Sequence, residues 1–166
     1  LTSISIPNSV TSIGGSAFYG CTGLTSVNIT DLSAWCKIDF DGFYVNNQYY
    51  ANPLYYAKKL KLNGTVITNL VIPNDITQIK DYAFYGCTGL TSVTIPNSVT
   101  EIGNSAFEGT GWYNNQPDGI LYLDNCCLGY KGDKTTGALT LNDGTRLIAG
   151  YAFYGCTGLT SVTIPN

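Results

Sequence analysis

The sequence predicts an α/β repeat solenoid, and three observations lead to this fold class. The string AFYGCTGLTSV occurs three times, at residues 17–27, 83–93 and 152–162, and the related AFEGTG occurs at 106–111. The apolar positions around these strings recur in a 23-residue frame, with units that start at positions 1, 24, 67, 90, 136 and 159. A unit of this length cannot bury its own apolar face, whereas stacked units cover one another. We therefore expect one repeat domain over residues 1–166.

Each unit begins with a short strand. In the unit that starts at Leu90, Val93 and Ile95 flank Thr94, and this alternation of period two is typical of a half-buried strand. Pro96 then ends the strand, because proline lacks the amide that a ladder requires. We expect parallel strands on one face of the stack, with exposed and uncharged side chains. The candidate binding positions on this face are Thr25, Ser26, Asn28, Thr91, Ser92 and Thr94.

Each unit continues with a short helical turn opposite the strand. The runs DYAFYGC and SAFEGTG predict one turn that is closed by glycine. A strand and a helical turn in a coil of about 20–29 residues are leucine-rich repeat geometry. Stacking places equivalent side chains above one another, and we expect a wall that contains Phe18, Phe84, Phe107 and Phe153. We also expect a buried ladder that contains Cys21, Cys87 and Cys156, with Thr110 at the same position.

Two inserts interrupt the repeat, at about residues 30–66 and 112–135. In the first insert, Asp31 is placed to cap a short helix, and Asn63-Gly64 predicts a two-residue hairpin turn. In the second insert, the flanking alternation predicts a hairpin about Asp124-Asn125. The inserts therefore add a hairpin each to an otherwise regular stack.

The inserts also concentrate aromatic side chains next to amides. Flat rings and amide groups together suit the recognition of protein or sugar surfaces. The candidate binding residues here are Tyr44, Tyr49, Trp112 and Tyr113, and Trp35 is a further candidate for sugar recognition. Alternatively, these rings form a local core where the repeat is broken. The equivalent tyrosines Tyr19, Tyr85 and Tyr154 are predicted to pack in the wall with an exposed hydroxyl.

Composition excludes several classes of function. The formal net charge is −3 with eight basic residues, so a surface for nucleic acid or for an anionic membrane is not expected. The chain has no apolar run of about 18 residues, and we expect no membrane insertion in this segment. It contains no histidine, which removes the commonest general base and a frequent zinc ligand. We expect neither an enzyme nor a bound metal or cofactor.

The repeat frame resembles a known family. The run LTSVTIPNSVTEIGNSAF, with Gly-Cys-x-Gly-Leu at the junction of units, looks like the BspA-like leucine-rich repeat. The interruptions SAWCKIDF, NPLYYAKKLKLNGT and GILYLDNCCLGYKG resemble elements of surface proteins of this group from gut bacteria. The chain starts and stops inside repeat units, so we expect it to be a fragment of a longer protein.

The resemblance implies a secreted or cell-surface protein that takes part in adhesion. Its implied partners are host matrix or plasma proteins, or another microbial surface protein. Two alternatives remain open at this point. The repeats act only as a structural spacer for another adhesive domain, or the aromatic inserts recognise carbohydrate.

Overall fold

The computed structural model describes residues 1–40, 48–133 and 136–165. The candidate residue Tyr44 lies outside the described residues, and of Tyr49 only the backbone is described. The strands are β1 Ser3–Ser5, β2 Ser12–Ile13, β3 Ser26–Ile29, β4 Asp39–Phe40, β5 Leu60–Leu62, β6 Thr65–Val66, β7 Asn69–Val71, β8 Gln78–Ile79, β9 Ser92–Thr94, β10 Glu101–Ile102, β11 Gly119–Leu123, β12 Cys126–Lys131, β13 Thr136–Thr140, β14 Leu147–Ile148 and β15 Gly158–Thr163. The helices are α1 Leu32–Cys36, α2 Leu54–Ala57 and α3 Gly111–Asn114, and a 3₁₀ helix covers Gln48–Ala51.

The chain winds into a solenoid whose coils are related by parallel strand pairing. β1 pairs with β3, β7 with β9 and β13 with β15, all in parallel. Hydrogen bonds such as that from the Thr91 hydroxyl to the Thr68 main-chain oxygen join residues 23 positions apart. The predicted fold class and the 23-residue period are therefore confirmed.

A second short strand in each coil was not predicted. β2 pairs with β4, and β8 with β10, again in parallel. Each of these strands has only two residues: one isoleucine or phenylalanine is buried, and its neighbour is exposed or, for Gln78, half-buried. Two residues are too few to show a period of two in a sequence, so this strand could not be recognised from alternation.

The helical turns take the form of successive turns with i to i+3 hydrogen bonds. Tyr85 donates its amide to the Tyr82 oxygen at 3.0 Å, and Cys87 donates to the Phe84 oxygen at 3.1 Å. Each turn starts at a residue in the left-handed region and ends at a left-handed glycine, as predicted for the glycine. The pairs are Ser16 and Gly20, Tyr82 and Gly86, Ser105 and Gly109, and Tyr151 and Gly155. The left-handed start limits the helical segment, and within the described ranges the α-helices lie in or at the edge of the inserts.

Both predicted hairpins are present. β5 and β6 pair in antiparallel fashion around Asn63 and Gly64, whose φ angles are 50° and 83°. Two successive positive φ angles are the geometry of the tight hairpin turn that Asn-Gly favours. β11 and β12 pair in the same way, and Asp124 between them has a φ of 50°. β5 also pairs in parallel with β3, so the first hairpin extends the sheet.

The core is divided by the second hairpin. A large apolar cluster extends from Ile6 to Ala149, and a small one surrounds Cys127, Leu139 and Leu141. Cys126 belongs to the large cluster and Cys127 to the small one. The two side chains therefore point to opposite faces of the strand, as expected for neighbouring residues.

The predicted aromatic wall is only partly continuous. The rings of Phe84 and Phe107 stack at 5.5 Å with an interplanar angle of 2°. Phe18 packs against the same large cluster, but Phe153 packs against the small one. The β11–β12 hairpin, which occupies residues without a recognisable repeat, is the reason for this division.

The cysteine ladder is confirmed at three of its four positions. Cys87, Cys156 and Thr110 are buried, and Cys21 is half-buried. The six cysteines are free thiols.

Candidate functional site

The strand face, defined here as Thr68, Asn69, Val71, Thr91, Ser92 and Thr94, is an exposed surface on β7, β9 and the residues before them. The register places Asn69 beside Ser92 and Val71 beside Thr94. Three of the candidate binding residues, Thr91, Ser92 and Thr94, are therefore brought together here. The surface carries hydroxyl, amide and methyl groups and no charge.

Hydrogen bonds between coils already occupy several of these polar groups. Ser92 donates its hydroxyl to the side-chain oxygen of Asn69 at 2.7 Å, and Thr91 donates to the Thr68 main-chain oxygen at 3.2 Å. Thr25 makes the equivalent bond to the Thr2 oxygen at 2.8 Å. A partner would thus contact mainly hydroxyl oxygens and methyl groups, because several of the hydroxyl hydrogens already form hydrogen bonds between coils.

The prediction that Ser26 is exposed is wrong, and Asn28 is only partly exposed. Ser26 lies on β3 with 6% of its surface exposed, because β3 lies between β1 and β5 in the sheet and α2 of the first insert packs against it. The turn of the β5–β6 hairpin reaches Asn28, whose side-chain oxygen accepts a 2.9 Å hydrogen bond from the Gly64 amide. The first insert therefore covers part of the surface that the repeat alone would expose.

Trp35 is a core residue, so the expectation that it contacts a sugar is wrong. Only 1% of its surface is exposed, and its indole nitrogen donates a 3.0 Å hydrogen bond to the Ala83 oxygen. Helix α1, capped by Asp31 as predicted, turns this side chain inward. The sequence cannot show this burial, since Ala83 lies in a different coil.

Trp112 and Tyr113 lie on α3 and are half-buried. Trp112 packs against the large apolar cluster. The ammonium group of Lys131 lies 5.1 Å from the centre of the Tyr113 ring and donates a 3.0 Å hydrogen bond to the Tyr113 main-chain oxygen. Burial, together with Glu108 and Asp118, raises the pKa of the Tyr113 hydroxyl. Part of each side chain is therefore used in packing within the protein, Trp112 against the apolar cluster and Tyr113 against Lys131.

Tyrosines from the repeat and from the first insert form a contiguous cluster. The Tyr50 ring contacts the rings of Tyr19, Tyr55 and Tyr56 at centroid distances of 5.1, 5.0 and 6.2 Å. Tyr55 stacks on Tyr85 at 6.1 Å. Here the aromatic insert does form local packing, which was the alternative to recognition.

Two of the repeat tyrosines are more exposed than wall packing allows. Tyr19 is 68% exposed and Tyr154 is 73% exposed, so the prediction that only their hydroxyls reach solvent is wrong. The ring of Tyr19 contacts Tyr50 edge to face at 5.1 Å, and the ring of Tyr154 contacts Tyr151 at 5.5 Å.

A groove of about 870 Å³ is lined by residues of β4, β8, β10, β11 and β12 and by the turn after β14. Its volume lies in the range of ligand sites, about 300–1,000 Å³. Sequence reasoning missed it, because its walls come from segments between residues 39 and 154 that no local pattern connects. We call it the acidic groove, after four of its lining side chains, Asp39, Asp81, Glu101 and Glu108.

Two of these carboxylates are held in place by neighbouring groups. Asp81 accepts a 2.7 Å hydrogen bond from the Asn104 amide, and Glu108 accepts one of 2.7 Å from the Ser105 hydroxyl. Gly103 leaves room for the Asp81 carboxylate, since a Cβ at that position would collide with it. The positions of these two carboxylates are therefore set by residues of the neighbouring coil or turn.

Tyr82 lines the same groove, and its pKa is affected by the nearby carboxylates. Burial raises the pKa of its hydroxyl, and the negative charges of Asp81 and Glu108 raise it further. A hydrogen bond of 2.8 Å from the Asn104 side chain to the Tyr82 oxygen acts in the opposite direction.

Metal binding has no clustered set of ligands in the described part of the chain. Among residues 1–40, 48–133 and 136–165, no three His, Cys, Asp or Glu side chains cluster in a way that could hold an ion. Across the same residues, no helix is both long and apolar enough to cross a bilayer.

The comparison with known families decides what the repeat is. The model of the BspA type leucine rich repeat region matches residues 1–48, 61–129 and 130–166, with six copies. The chain belongs to the BspA-type leucine-rich repeat family. The resemblance drawn from the sequence is therefore confirmed.

Two solved structures are similar to this BspA-type chain. One is a leucine rich cell surface protein from Faecalibacterium prausnitzii A2-165, at 26% identity and a TM-score of 0.41, and the match covers 99% of this chain and 39% of that one. The other is a leucine-rich repeat protein from Bacteroides ovatus ATCC 8483, at 21% identity and a TM-score of 0.37, covering 90% and 42%. This chain thus spans less than half of either structure. No curated protein matches it.

The BspA-type repeat places the chain in a general class. Leucine-rich repeat solenoids are non-enzymatic scaffolds for protein interaction, because stacked coils display an extended and regular surface.

Proposed function

We propose that this chain is a cell-surface adhesion module that binds a protein of the host matrix or plasma, or a surface protein of another microbe. The repeat family indicates protein binding in general, and the proposal adds where the protein acts and what kind of partner it binds. A structural neighbour described as a cell surface protein supports the location.

The observation that carries the proposal is the uncharged strand face. Neighbouring coils align Asn69 with Ser92 and Val71 with Thr94, so adjacent coils present uncharged side chains at equivalent positions. A rigid surface of this kind loses little conformational entropy on binding, and its repetition along a stack allows avidity. Thr91, Ser92 and Thr94 are the contact residues that we propose, with Thr25 and Asn28 as secondary positions on β3 and the residue before it.

The test is a charge placed in the middle of the strand face. We expect Thr94→Glu to weaken binding to an immobilised matrix or plasma protein about tenfold or more, because a desolvated and unmatched charge costs at least about 1.4 kcal/mol. The measurement is biolayer interferometry across a panel of such proteins. Thr157→Glu is the matched control, since Thr157 is an exposed threonine in a turn outside the strand face. Equal binding by wild type, control and Thr94→Glu would remove the strand face from the proposal.

A structural spacer is the second candidate, and the hydroxyl bonds between coils favour it. Thr25, Thr91 and Thr100 each use their hydroxyl to join their own coil to the previous one. A spacer needs this rigidity and no ligand. It predicts that the chain shows no saturable binding on a broad panel of matrix, plasma and microbial surface proteins.

A further inference from the structure

The acidic groove carries an excess of negative charge. The carboxylates of Asp39, Asp81, Glu101 and Glu108 are opposed in the groove by the ammonium group of Lys80. The resulting excess of three negative charges equals the formal net charge of the whole chain, −3. Among the described residues, Lys37 and Asp75 form an ion pair, and both lie outside the groove. Within the described residues no ion pair engages these four carboxylates, and Asp81 and Glu108 each accept one hydrogen bond from an uncharged donor.

Exposed aromatic rings line the same groove as these carboxylates. Tyr151 and Tyr154 both line the groove, and they are 66% and 73% exposed. Their rings meet edge to face at 5.5 Å, which leaves ring surface directed to solvent. The face of a tyrosine ring attracts a lysine or arginine side chain. Carboxylates and ring faces in one groove are two independent features that select the same ligand chemistry.

We propose that the acidic groove binds a lysine- and arginine-rich peptide segment of a partner protein. This inference rests on the proposed protein-binding function, but it assigns a second contact surface, since the groove is lined by none of the strand-face residues. A guanidinium or ammonium group meets both a carboxylate and a ring, and the peptide neutralises the local charge. Phosphate-rich or sialylated partners would be repelled. A neutral glycan would leave the carboxylates uncompensated, so it fits the groove less well.

Charge attraction is also expected to set the salt dependence of this binding. The carboxylates of Asp39, Asp81, Glu101 and Glu108 are on exposed side chains. Interactions between exposed charges are screened over about 8 Å at physiological ionic strength. Binding of a basic peptide should therefore weaken steeply as salt is raised, whereas binding through the uncharged strand face should not.

The experiment measures fluorescence anisotropy of a short labelled peptide in which lysine and arginine alternate with glycine. A peptide with glutamate in place of the basic residues, and one with glutamine, are titrated in parallel. The double variant Glu101→Gln with Glu108→Gln removes two groove charges. The double variant Asp133→Asn with Asp143→Asn removes two exposed charges outside the groove and is the matched control. Tyr151→Ala with Tyr154→Ala tests the rings, and far-ultraviolet circular dichroism checks that each variant folds.

We expect the basic peptide to bind while the glutamate and glutamine peptides do not. The groove double variant should bind it about two- to thirtyfold more weakly, the range that two exposed charge pairs give, and the control variant should be unchanged. Equal losses in the groove and control variants would mean attraction to the overall charge and would overturn the proposal. The proposal would also be overturned if the basic peptide did not bind. Binding of the protein to neutral glycans on an array, unchanged in the Glu101→Gln with Glu108→Gln variant, would overturn it as well. Because the probe is synthetic, its result is independent of whether Thr94→Glu affects adhesion.

Discussion

The indole nitrogen of Trp35 and the main-chain oxygen of Ala83 form a hydrogen bond of 3.0 Å across 48 positions of the chain. The same oxygen accepts a 3.1 Å bond from the side chain of Asn52. Both donors come from the first insert, and both are buried. The insert is thereby fixed to the coil that follows it, which makes it part of the solenoid core instead of a mobile appendage.

Replacing Trp35 should show how much of this attachment is packing. We expect Trp35→Ala to lower the free energy of unfolding by about 3–5 kcal/mol, because it leaves a large cavity in the core. Trp35→Phe keeps most of the ring and should cost less, about 1–2 kcal/mol, since Ala83 retains its bond from Asn52. Urea denaturation followed by circular dichroism measures both. Tyr154→Phe is an exposed aromatic control that should be neutral, and a Trp35→Ala protein as stable as wild type would contradict the buried placement.

Asn52 should be coupled to Trp35 through their shared acceptor. Asn52→Ala removes the side-chain bonds to the Ala83 and Tyr82 oxygens and the 2.8 Å bond that its own oxygen accepts from the Leu54 amide. We expect a loss of about 1–3 kcal/mol. In the double variant with Trp35→Phe, the buried Ala83 oxygen loses both donors. The combined loss should therefore exceed the sum of the two single losses by about 0.5–2 kcal/mol.

A double-mutant cycle in urea provides the measurement of this coupling. Trp35→Phe combined with Asn69→Ala is the control cycle, because Asn69 lies on the exposed strand face. That cycle should be additive. An additive result for Trp35 and Asn52 as well would show that the shared oxygen carries no energetic link.

Thr110 illustrates a local change that adapts the repeat to the second insert. It occupies the position of Cys21, Cys87 and Cys156, and its hydroxyl caps α3 by accepting a 3.1 Å bond from the Tyr113 amide. Thr110→Cys restores the residue of the other units but removes the cap, and we expect a loss of about 1 kcal/mol. Thr110→Ser keeps the hydroxyl and should lose less. Thermal unfolding compares the two, and a Thr110→Cys protein that is more stable than Thr110→Ser would contradict the capping role.

The features that the sequence predicted correctly are those decided within a few residues. The Asn63-Gly64 turn, the Asp31 cap and the 23-residue period each depend on neighbours or on direct repetition. Turn and cap preferences act over one or two peptide units, so they survive in any tertiary context that tolerates them.

The features that were predicted wrongly depend on contacts between distant parts of the chain. Ser26 is covered because the first insert packs α2 and the start of β5 against β3, and Trp35 is buried against Ala83. The acidic groove gathers Asp39 and Tyr154 from coils more than 100 positions apart. A repeat frame fixes where regular side chains lie, but it contains no information on how an insert folds back onto the stack.

Buried thiols should make the protein less stable in alkali. Burial raises the pKa of Cys36 to about 12, and the nearby charge of Asp75 raises it as well. Burial likewise raises the pKa of Cys87 to about 11. The ordinary value of a thiol is 9.0, so the unfolded chain loses these protons first. The stabilisation is fully present below about pH 9 and is lost as the pH rises through the folded values.

The change in slope on removing one thiol is the measurable consequence. Each thiol should lower the free energy of unfolding by up to about 1.4 kcal/mol per pH unit above about pH 9, since the unfolded state then binds fewer protons. Cys36→Ala removes one such contribution, so its stability should fall less steeply with pH than that of wild type, although packing loss lowers its value at neutral pH. Cys21→Ala keeps Cys36 and Cys87 and serves as the control. Urea titrations between about pH 8 and 10.5 give the slopes. Parallel slopes for wild type and Cys36→Ala would mean that Cys36 ionises equally easily in both states, which a thiol enclosed by α1 and the solenoid core cannot do.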